Sequence, residues 1–255
     1  MITQQTWGGF WGEFILVEQH KSNPNRWTGR ERRAAWIVDR LDLPPGAAIL
    51  GLGCGDGLLE ICLGRLGRRV TGIDRLEGVM ELARQEVKKE EVQFHVADLR
   101  RLQCPPDSYD AVMILDTLGL MSRKDDTDLI SRAATWLRPG GKLLADCPQE
   151  PDEQHSENTW AVPVPGGQLT LTSLYEPTSR MQRITPRFVR DDGNTIELMD
   201  PYDPGRGPVG GVLRYLYPVS ELRRMLNEPG LVAEEIDHFS SPKHYCVVGR
   251  KEKDA

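Results

Sequence analysis

Hydrophobic and polar positions follow two rhythms along this chain of 255 residues. From Ala47 to Cys147, short apolar runs of the strand type alternate with segments in which apolar residues recur at helical spacing. The runs AAILGL, RRVTGID, EVQFHVAD, SYDAVMILD and KLLADC predict five strands, and GLLEICLGRLG, LEGVMELARQEVKKE and DDTDLISRAATWLR predict helices. Strands that alternate with helices build a parallel sheet covered by helices on both faces. The region therefore predicts a doubly wound, Rossmann-like α/β core.

Other patterns precede and follow this core. The first 45 residues have helical spacing, and Thr28 with Glu31 three positions later predicts a capping box. After the core, strand patterns dominate, with a hairpin signal at Asp192-Gly193. Ser220 is the expected N-cap of a last helix, and the two strand patterns after it are joined too closely to be parallel.

The chain is therefore expected to have four parts. These are an N-terminal helical cap, a core, an inserted small antiparallel β cap, and a terminal helix and β-hairpin that complete the core sheet with an antiparallel final strand. Their predicted bounds are 1–45, 46–148, 149–218 and 219–255.

Composition and charge restrict the class of protein. Hydrophobic residues make up 39% and charged residues 27% of the chain, as in ordinary globular domains, and the net charge is −6. The sequence has no apolar run of about 20 residues and no dense Lys/Arg run, and its start lacks a signal-peptide pattern. The five cysteines form no C-x-x-C pair and the five histidines no cluster with ligand spacing. We expect a cytoplasmic protein without a metal and without a membrane or nucleic-acid partner.

The stretch ILGLGCGDGLLE, Ile49 to Glu60, joins the first strand of the core to its first helix and has a glycine at every second position from Gly51 to Gly57. Doubly wound sheets bind ligands at the carboxyl ends of their strands, and glycine lets backbone approach a ligand closely. The spacing is a weak fit to the dinucleotide fingerprint, and no phosphate loop occurs. Asp74 and Asp98 end the next two strands, where a carboxylate can accept hydrogen bonds from a nucleoside. A solvated loop carboxylate is the alternative for either residue alone.

The ordered segments ILGLGCGDG, VTGIDRLEGVMELAR, VADLRRL, SYDAVMILDTLG and WLRPGGKLL resemble the motifs of class I S-adenosylmethionine-dependent methyltransferases. The terminal helix and strand pair is similar to the reversed final hairpin of that fold, which nicotinamide-binding folds lack. The resemblance covers Ala47–Cys147 closely and Val219–Lys251 more loosely. It implies a Rossmann-like fold, S-adenosyl-L-methionine as cofactor and methyl transfer as activity.

By position, the resemblance implies contacts along the whole cofactor. Three glycines of the bend would line the methionine part, and the acid after the second strand would bind the ribose hydroxyls. The next two residues would flank the adenine, and two residues after the third strand would meet its amino group and a ring nitrogen. The residue that ends the fourth strand would border the sulfonium. In that order, these residues are Gly51, Gly53, Gly55, Asp74, Arg75, Leu76, Asp98, Leu99 and Leu115.

Gly51 departs from the family pattern. The family usually has Asp or Glu at this position, and that carboxylate helps to hold the methionine amino group. Here either backbone carbonyls suffice or another acid, such as Asp116, compensates. A relative that binds the cofactor without catalysis is a further alternative.

Flanking segments supply candidates for the remaining contacts. Trp7, Phe10, Trp11 and Phe14 share one helical face, which predicts either a lid that brings Trp11 to the cofactor or a helix packed on the core. Arg30 is either a surface residue or a partner of the methionine carboxylate.

Candidate catalytic residues follow the fourth strand and precede the last helix. Asp116 either faces the methyl acceptor or caps a loop, and Tyr215 and Tyr217 either hydrogen-bond the acceptor or pack as aromatic residues. Methyl transfer from a sulfonium depends strongly on orientation, and a base is needed only where the nucleophile must lose a proton.

We therefore expect a methyltransferase that acts on a small-molecule acceptor by in-line displacement. A non-catalytic S-adenosylmethionine-binding module of the same fold is the first alternative, and a nicotinamide-dependent oxidoreductase is the second. The sequence leaves the acceptor and the oligomeric state open.

Overall fold

The computed structural model describes residues 26–151, 157–164, 166–197, 212–236 and 244–253. The aromatic face predicted at Trp7, Phe10, Trp11 and Phe14 lies outside these residues. No helix in the described ranges combines the length and apolar character needed to cross a bilayer.

Helices and strands alternate over the first half of the chain and give way to strands in the second. The helices are α1 (Arg26–Arg40), α2 (Leu58–Arg65), α3 (Glu77–Glu86), α4 (Arg123–Trp136) and α5 (Val219–Asn227). The strands are β1 (Ala48–Leu52), β2 (Arg69–Asp74), β3 (Val92–Val96), β4 (Tyr109–Ile114), β5 (Leu137–Pro148), β6 (Glu157–Val164), β7 (Gly167–Glu176), β8 (Met181–Arg190), β9 (Thr195–Glu197), β10 (Val212–Tyr215), β11 (Val232–Ile236) and β12 (His244–Arg250).

The larger sheet has seven strands in the order β11-β12-β5-β4-β1-β2-β3. Strands β1 to β5 pair in parallel, whereas β12 pairs antiparallel with both β5 and β11. This arrangement confirms the predicted doubly wound sheet with an antiparallel final strand. The chain runs outward from β1 to β3 and returns to β4 beside β1, so the strand order reverses between β1 and β4. Ligands of such sheets bind at this switch point.

The smaller sheet is antiparallel, with the order β10-β8-β7-β6 and with β9 paired to β8. It lies in the chain between β5 and α5, where the strand-rich insertion is predicted. Strands β8 and β9 flank the predicted Asp192-Gly193 turn, in which Gly193 has a φ of 82°.

The core lies on both faces of the larger sheet, and β1 contributes to each face in turn. Leu50 and Leu52 pack on the side that includes α4 and α5. Ile49 packs on the side of α1, α2 and α3. Because successive strand residues point to opposite faces, Gly51 faces the same side as Ile49, toward α2.

Three predicted boundaries are wrong. Helix α1 spans Arg26–Arg40, so Thr28 lies inside it. Trp27, which precedes Thr28 in this helix, packs on the core with the Arg65 guanidinium 4.0 Å from its ring centroid. Helix α5 has Pro218 rather than Ser220 at its N-cap. Strand β5 begins at Leu137, before the predicted run KLLADC, because Gly140 and Gly141 exchange backbone hydrogen bonds with Lys251.

Candidate functional site

The bend between β1 and α2 is built on glycines in the left-handed region. The φ angles of Gly53, Gly55 and Gly57 are 71°, 54° and 68°, a conformation that residues with a Cβ rarely adopt. The backbone N–H groups of Gly53 and Cys54 both donate to the carbonyl of Ile73 on β2, at 2.8 and 3.0 Å. The bend is therefore held against the end of the neighbouring strand.

A cleft opens beside this bend at the switch point. It encloses about 590 Å³ of space not filled by atoms, part of it open to solvent. Six of the sequence-predicted site residues line it, namely Arg30, Gly51, Gly53, Gly55, Leu115 and Asp116. Further lining residues include Arg33 of α1 and Glu60 of α2. The structure therefore brings together, at one cleft, the residues that the resemblance assigns to the methionine part of the cofactor.

Asp74, at the end of β2, is tied to the bend although it does not itself line the cleft. One carboxylate oxygen accepts a hydrogen bond from the Gly55 N–H at 2.9 Å, and the other accepts from the Leu76 N–H at 3.1 Å. A carboxylate has about four acceptor sites, so two remain for a ligand. Asp74 is 9% exposed, and each of its hydrogen bonds is correspondingly shielded from water.

The predicted adenine contacts lie beyond the cleft. Arg75 is exposed, and Leu76 is half-buried at the N-cap of α3. Hydrogen bonds from the Arg100 side chain, assisted by the Arg100 N–H and opposed by partial desolvation, lower the pKa of Asp98 to about 2. Leu99 is buried, and its carbonyl accepts from Arg132. An adenine amino group would therefore meet a carboxylate that already has a cationic partner.

A charged network lies at the carboxyl ends of β4 and β5. Asp146 is fully buried and accepts from the Arg33 guanidinium at 2.7 Å and from the Asp116 N–H at 2.6 Å. The Asp116 carboxylate lies 3.6 Å from Arg33 and 3.5 Å from Nε2 of His244. Desolvation opposes the ionisation of Asp116, but hydrogen bonding to His244 and the charges of Arg214 and Arg33 hold its pKa well below its usual range. Asp116 has a φ of 54°, a conformation that residues with a Cβ rarely adopt, and its N–H is held there by Asp146.

Glu60 places a carboxyl group against the cleft from the buried helix α2. It is 3% exposed, and its Oε2 has no hydrogen-bond partner among the described residues. Burial raises its pKa from 4.5 to about 7, although its backbone hydrogen bond and the charges of Arg30 and Arg33 oppose the shift. Glu60 is therefore an acid that changes charge near neutral pH.

The Glu60 shift predicts a pH dependence of stability. Because the folded pKa is above the unfolded one, the native state binds more protons between pH 4.5 and about 7, and the free energy of unfolding falls as the pH rises through this range. The loss amounts to about 3 kcal/mol and is complete above pH 7. We expect Glu60→Gln to remove this loss when urea unfolding of the two proteins is compared from pH 5 to 8. Parallel pH profiles would contradict the assignment.

The structure favours the packing alternative for the two predicted tyrosines. Tyr217 is 1% exposed, and its hydroxyl donates to Asp126 at 2.8 Å. Tyr215 donates to Glu221 at 3.1 Å and packs edge-on against Tyr217, with ring centroids 4.8 Å apart. Neither lines the cleft, so we do not retain them as acceptor contacts.

Sequence reasoning missed Arg33, Glu60, Asp146 and His244. A signal existed for two of them, since Glu60 interrupts the apolar run LLEICLG and Asp146 interrupts LLADC. An acid in such a run is buried when the segment folds, and a buried acid requires a partner. No comparable signal marked Arg33, which lies among other basic residues on α1, or His244.

Comparison with known proteins gives matches to methyltransferases. Residues 49–141 match the family model described as a methyltransferase domain. A ubiquinone biosynthesis O-methyltransferase from Xanthomonas euvesicatoria pv. vesicatoria is 37% identical over 117 residues, which are 44% of this chain and 47% of the relative. The chain thus spans about half the length of the curated relatives it matches.

Solved structures resemble the fold over nearly the whole chain. The CcbJ methyltransferase from Streptomyces caelestis has a TM-score of 0.74 at 18% identity, covering 96% of this chain and 99% of that one. An amino pentose methyltransferase from Micromonospora echinaspora, in a structure with S-adenosylmethionine bound, has a TM-score of 0.68 at 16% identity and covers 93% and 96%. At these identities the likeness supports the fold.

Proposed function

We propose that this chain, in which residues 49–141 match a methyltransferase domain, acts as a class I S-adenosylmethionine-dependent methyltransferase and transfers a methyl group from S-adenosyl-L-methionine to a small-molecule acceptor. The observation that carries the proposal is the cleft at the switch point, lined by the glycine bend and by the ends of β1 and β4. Ligands of doubly wound sheets bind in this position.

The residues at the cleft fit the cofactor. At Gly53, a Cβ would lie 2.2 Å from Thr117 Oγ1 and φ is 71°, so the packing of the bend on Thr117 requires glycine there. At Gly55, a Cβ would meet no atom within 4 Å, so this part of the bend borders open space that a ligand can occupy. Asp74 has acceptor capacity left for the two ribose hydroxyls. When bound, the cofactor supplies an electrophilic methyl group on a sulfonium. The chain's own contribution is then to bind, to orient and to exclude water.

Asp116 and His244 are the proposed groups on the acceptor side. Asp116 lines the cleft, and its anionic carboxylate lies 3.5 Å from His244 Nε2. A carboxylate in this position orients an imidazole by hydrogen bonding. We assign to His244 the removal of a proton from an acceptor hydroxyl or ammonium group, and to Asp116 its orientation.

The smaller sheet is the proposed acceptor cap, within the four-part division given above. It is joined to the acceptor side because the Tyr215 N–H donates to the carbonyl of Gly119, in the loop after β4, at 2.9 Å. The relatives named as a ubiquinone biosynthesis O-methyltransferase and as an amino pentose methyltransferase support an acceptor that is a small ring with a hydroxyl or amine group. All five cysteines are free thiols, which supports a cytoplasmic location.

Calorimetry and transfer assays test the proposal in two steps. We expect S-adenosylmethionine and S-adenosylhomocysteine to bind and NAD not to bind. With methyl-labelled donor, a panel of phenols, catechols and amino sugars is then expected to yield a labelled product. Binding of NAD alone would support an oxidoreductase, and tight binding of donor without transfer to any acceptor would support the non-catalytic module.

The variant His244→Gln tests the acceptor side. Because a positioned base contributes about 10²-fold or more, we expect kcat to fall at least about tenfold while the affinity for S-adenosylhomocysteine is unchanged. The loss is expected to diminish as the pH is raised and the acceptor deprotonates in solution. An equal loss at every pH, or weakened product binding, would mean that His244 is not the base.

A further inference from the structure

The side chain of Glu60, on α2, lies in the space beside Gly51, on β1. A Cβ placed on Gly51 would lie 2.5 Å from Oε1 of Glu60. The carboxyl group on α2 therefore occupies the space into which a side chain at the end of β1 would project. A chain that lacks an acid on the strand thus has one at the same place, delivered from the following helix.

Resting on the proposed function, we propose that Glu60 binds the ammonium group of the cofactor's amino-acid part, so that the deep end of the cleft is a zwitterion site whose acid comes from α2 instead of β1. The site takes an α-amino acid group with a free ammonium. Because an ammonium group binds a carboxylate more strongly than it binds a neutral carboxylic acid, binding is coupled to the ionisation of Glu60.

The unsatisfied oxygen is the main argument for a cationic ligand. Glu60 is 3% exposed and lines the cleft, yet its Oε2 accepts no hydrogen bond from any described residue. A buried polar atom left unpaired costs about 1–3 kcal/mol, and more when it is charged. An ammonium group has three donors and a positive charge. It would therefore donate a hydrogen bond to the unpaired oxygen and compensate the charge of the carboxylate.

Arg30 completes the site at the other end of the ligand group. It lines the cleft, its side chain is 42% exposed, and it lies 3.9 Å from Asp56. Arg33 is instead held by Asp146 at 2.7 Å. Arg30 is therefore the guanidinium placed to receive the ligand carboxylate. A phosphate group at the deep end would face Glu60, which disfavours a dinucleotide.

The groups around Glu60 set the expected pH dependence. Arg30 and Arg33 face it from α1, and Asp56 and Cys54 face it from the bend. Since Glu60 has a pKa of about 7 before a ligand binds, an arriving ammonium displaces its proton at lower pH. Affinity should then rise by up to about tenfold per pH unit below pH 7 and level off above it.

Calorimetry with two nucleosides tests the inference. S-adenosylhomocysteine contains the amino-acid group, whereas 5′-methylthioadenosine lacks it. We expect Glu60→Gln to weaken the first at least tenfold at pH 7.5 and to leave the second within about twofold. For the wild type, affinity for S-adenosylhomocysteine should rise from pH 5.5 to 7.5 with release of a proton, and in Glu60→Gln it should not change.

A double variant that places the acid on β1 instead of α2 tests whether the affinity lost with Glu60 can be restored. In Gly51→Asp/Glu60→Ala the space around residue 51 is vacated, and we expect the double variant to regain most of the affinity that Glu60→Ala loses. Equal weakening of both nucleosides by Glu60→Gln, or unchanged binding with the wild-type pH profile, would overturn the role of Glu60. If the wild type bound neither nucleoside, the proposed function itself would fail.

Discussion

Asp74→Ala is expected to weaken binding of S-adenosylhomocysteine by about 10²- to 10⁴-fold. Each hydrogen bond to a charged group is worth about 1.5–3 kcal/mol, and Asp74 has acceptor sites for two ribose hydroxyls after it has accepted from Gly55 and Leu76. The substitution also removes the acceptor that fixes the Gly55 N–H of the bend. Calorimetry at pH 7.5 measures the loss.

A comparison of nucleosides separates the two effects of this substitution. For the wild type, 2′,3′-dideoxyadenosine should bind far more weakly than adenosine, and for Asp74→Ala the two should bind alike, because the hydroxyls no longer have a partner. Asp98→Ala is the matched control at the end of β3, where Arg100 already holds the carboxylate, and it should weaken binding less. If Asp74→Ala kept the discrimination between the nucleosides, the ribose assignment would be wrong.

The order of the core elements could be predicted because each has a local cause. The strands β1, β4 and β5 each contain a short apolar run that becomes buried, and the glycine bend between β1 and α2 is visible in the sequence as a regular spacing. The antiparallel β11–β12 pair follows from a connection too short for a crossover. These features depend on residues that are close in sequence, so they can be predicted from one sequence.

Boundaries that depend on distant partners could not be predicted. Helix α1 includes Thr28, and Trp27, which precedes it, packs between the core and Arg65, 38 positions along the chain. Strand β5 takes in Gly140 and Gly141 because Lys251 pairs with both. Tertiary contacts here override the local turn and capping signals, and no local sequence pattern predicts these contacts.

The site was predicted where backbone defines it and missed where side chains from separate elements meet. Gly51, Gly53 and Gly55 act through their position in one bend. Glu60 and Asp146 meet groups from other elements, Gly51 of β1 for the first and Arg33 of α1 for the second. Only their presence in apolar runs indicated burial. The expectation that an acid compensates for Gly51 named Asp116; the geometry points instead to Glu60, the residue whose carboxyl occupies the vacated space.

Asp146→Ala is expected to cost about 3–5 kcal/mol of stability. The substitution removes the carboxylate that the Arg33 guanidinium contacts at 2.7 Å and leaves this side chain, which is 12% exposed, with only the more distant and more exposed Asp116 carboxylate at 3.6 Å. Breaking a buried pair by removing one partner carries a penalty of this size. The Asp116 N–H also loses its acceptor. For a chain of this length, the melting temperature should fall by roughly 6–20 °C, measured by circular dichroism with urea unfolding as the second probe.

Two further variants assign this loss to the buried pair. Asp146→Asn keeps an oxygen for the Asp116 N–H but removes the charge, so its loss should be smaller. Arg33→Met combined with Asp146→Leu removes both charges and should recover part of the stability, because a buried ion pair replaced by apolar groups costs less than one that is broken. Asp128→Ala, which breaks the exposed pair with Lys124 on α4, should change little. If Asp146→Ala were no more destabilised than Asp128→Ala, the buried pair of Arg33 and Asp146 would not stabilise the fold, and the network around Asp116 would not depend on Asp146.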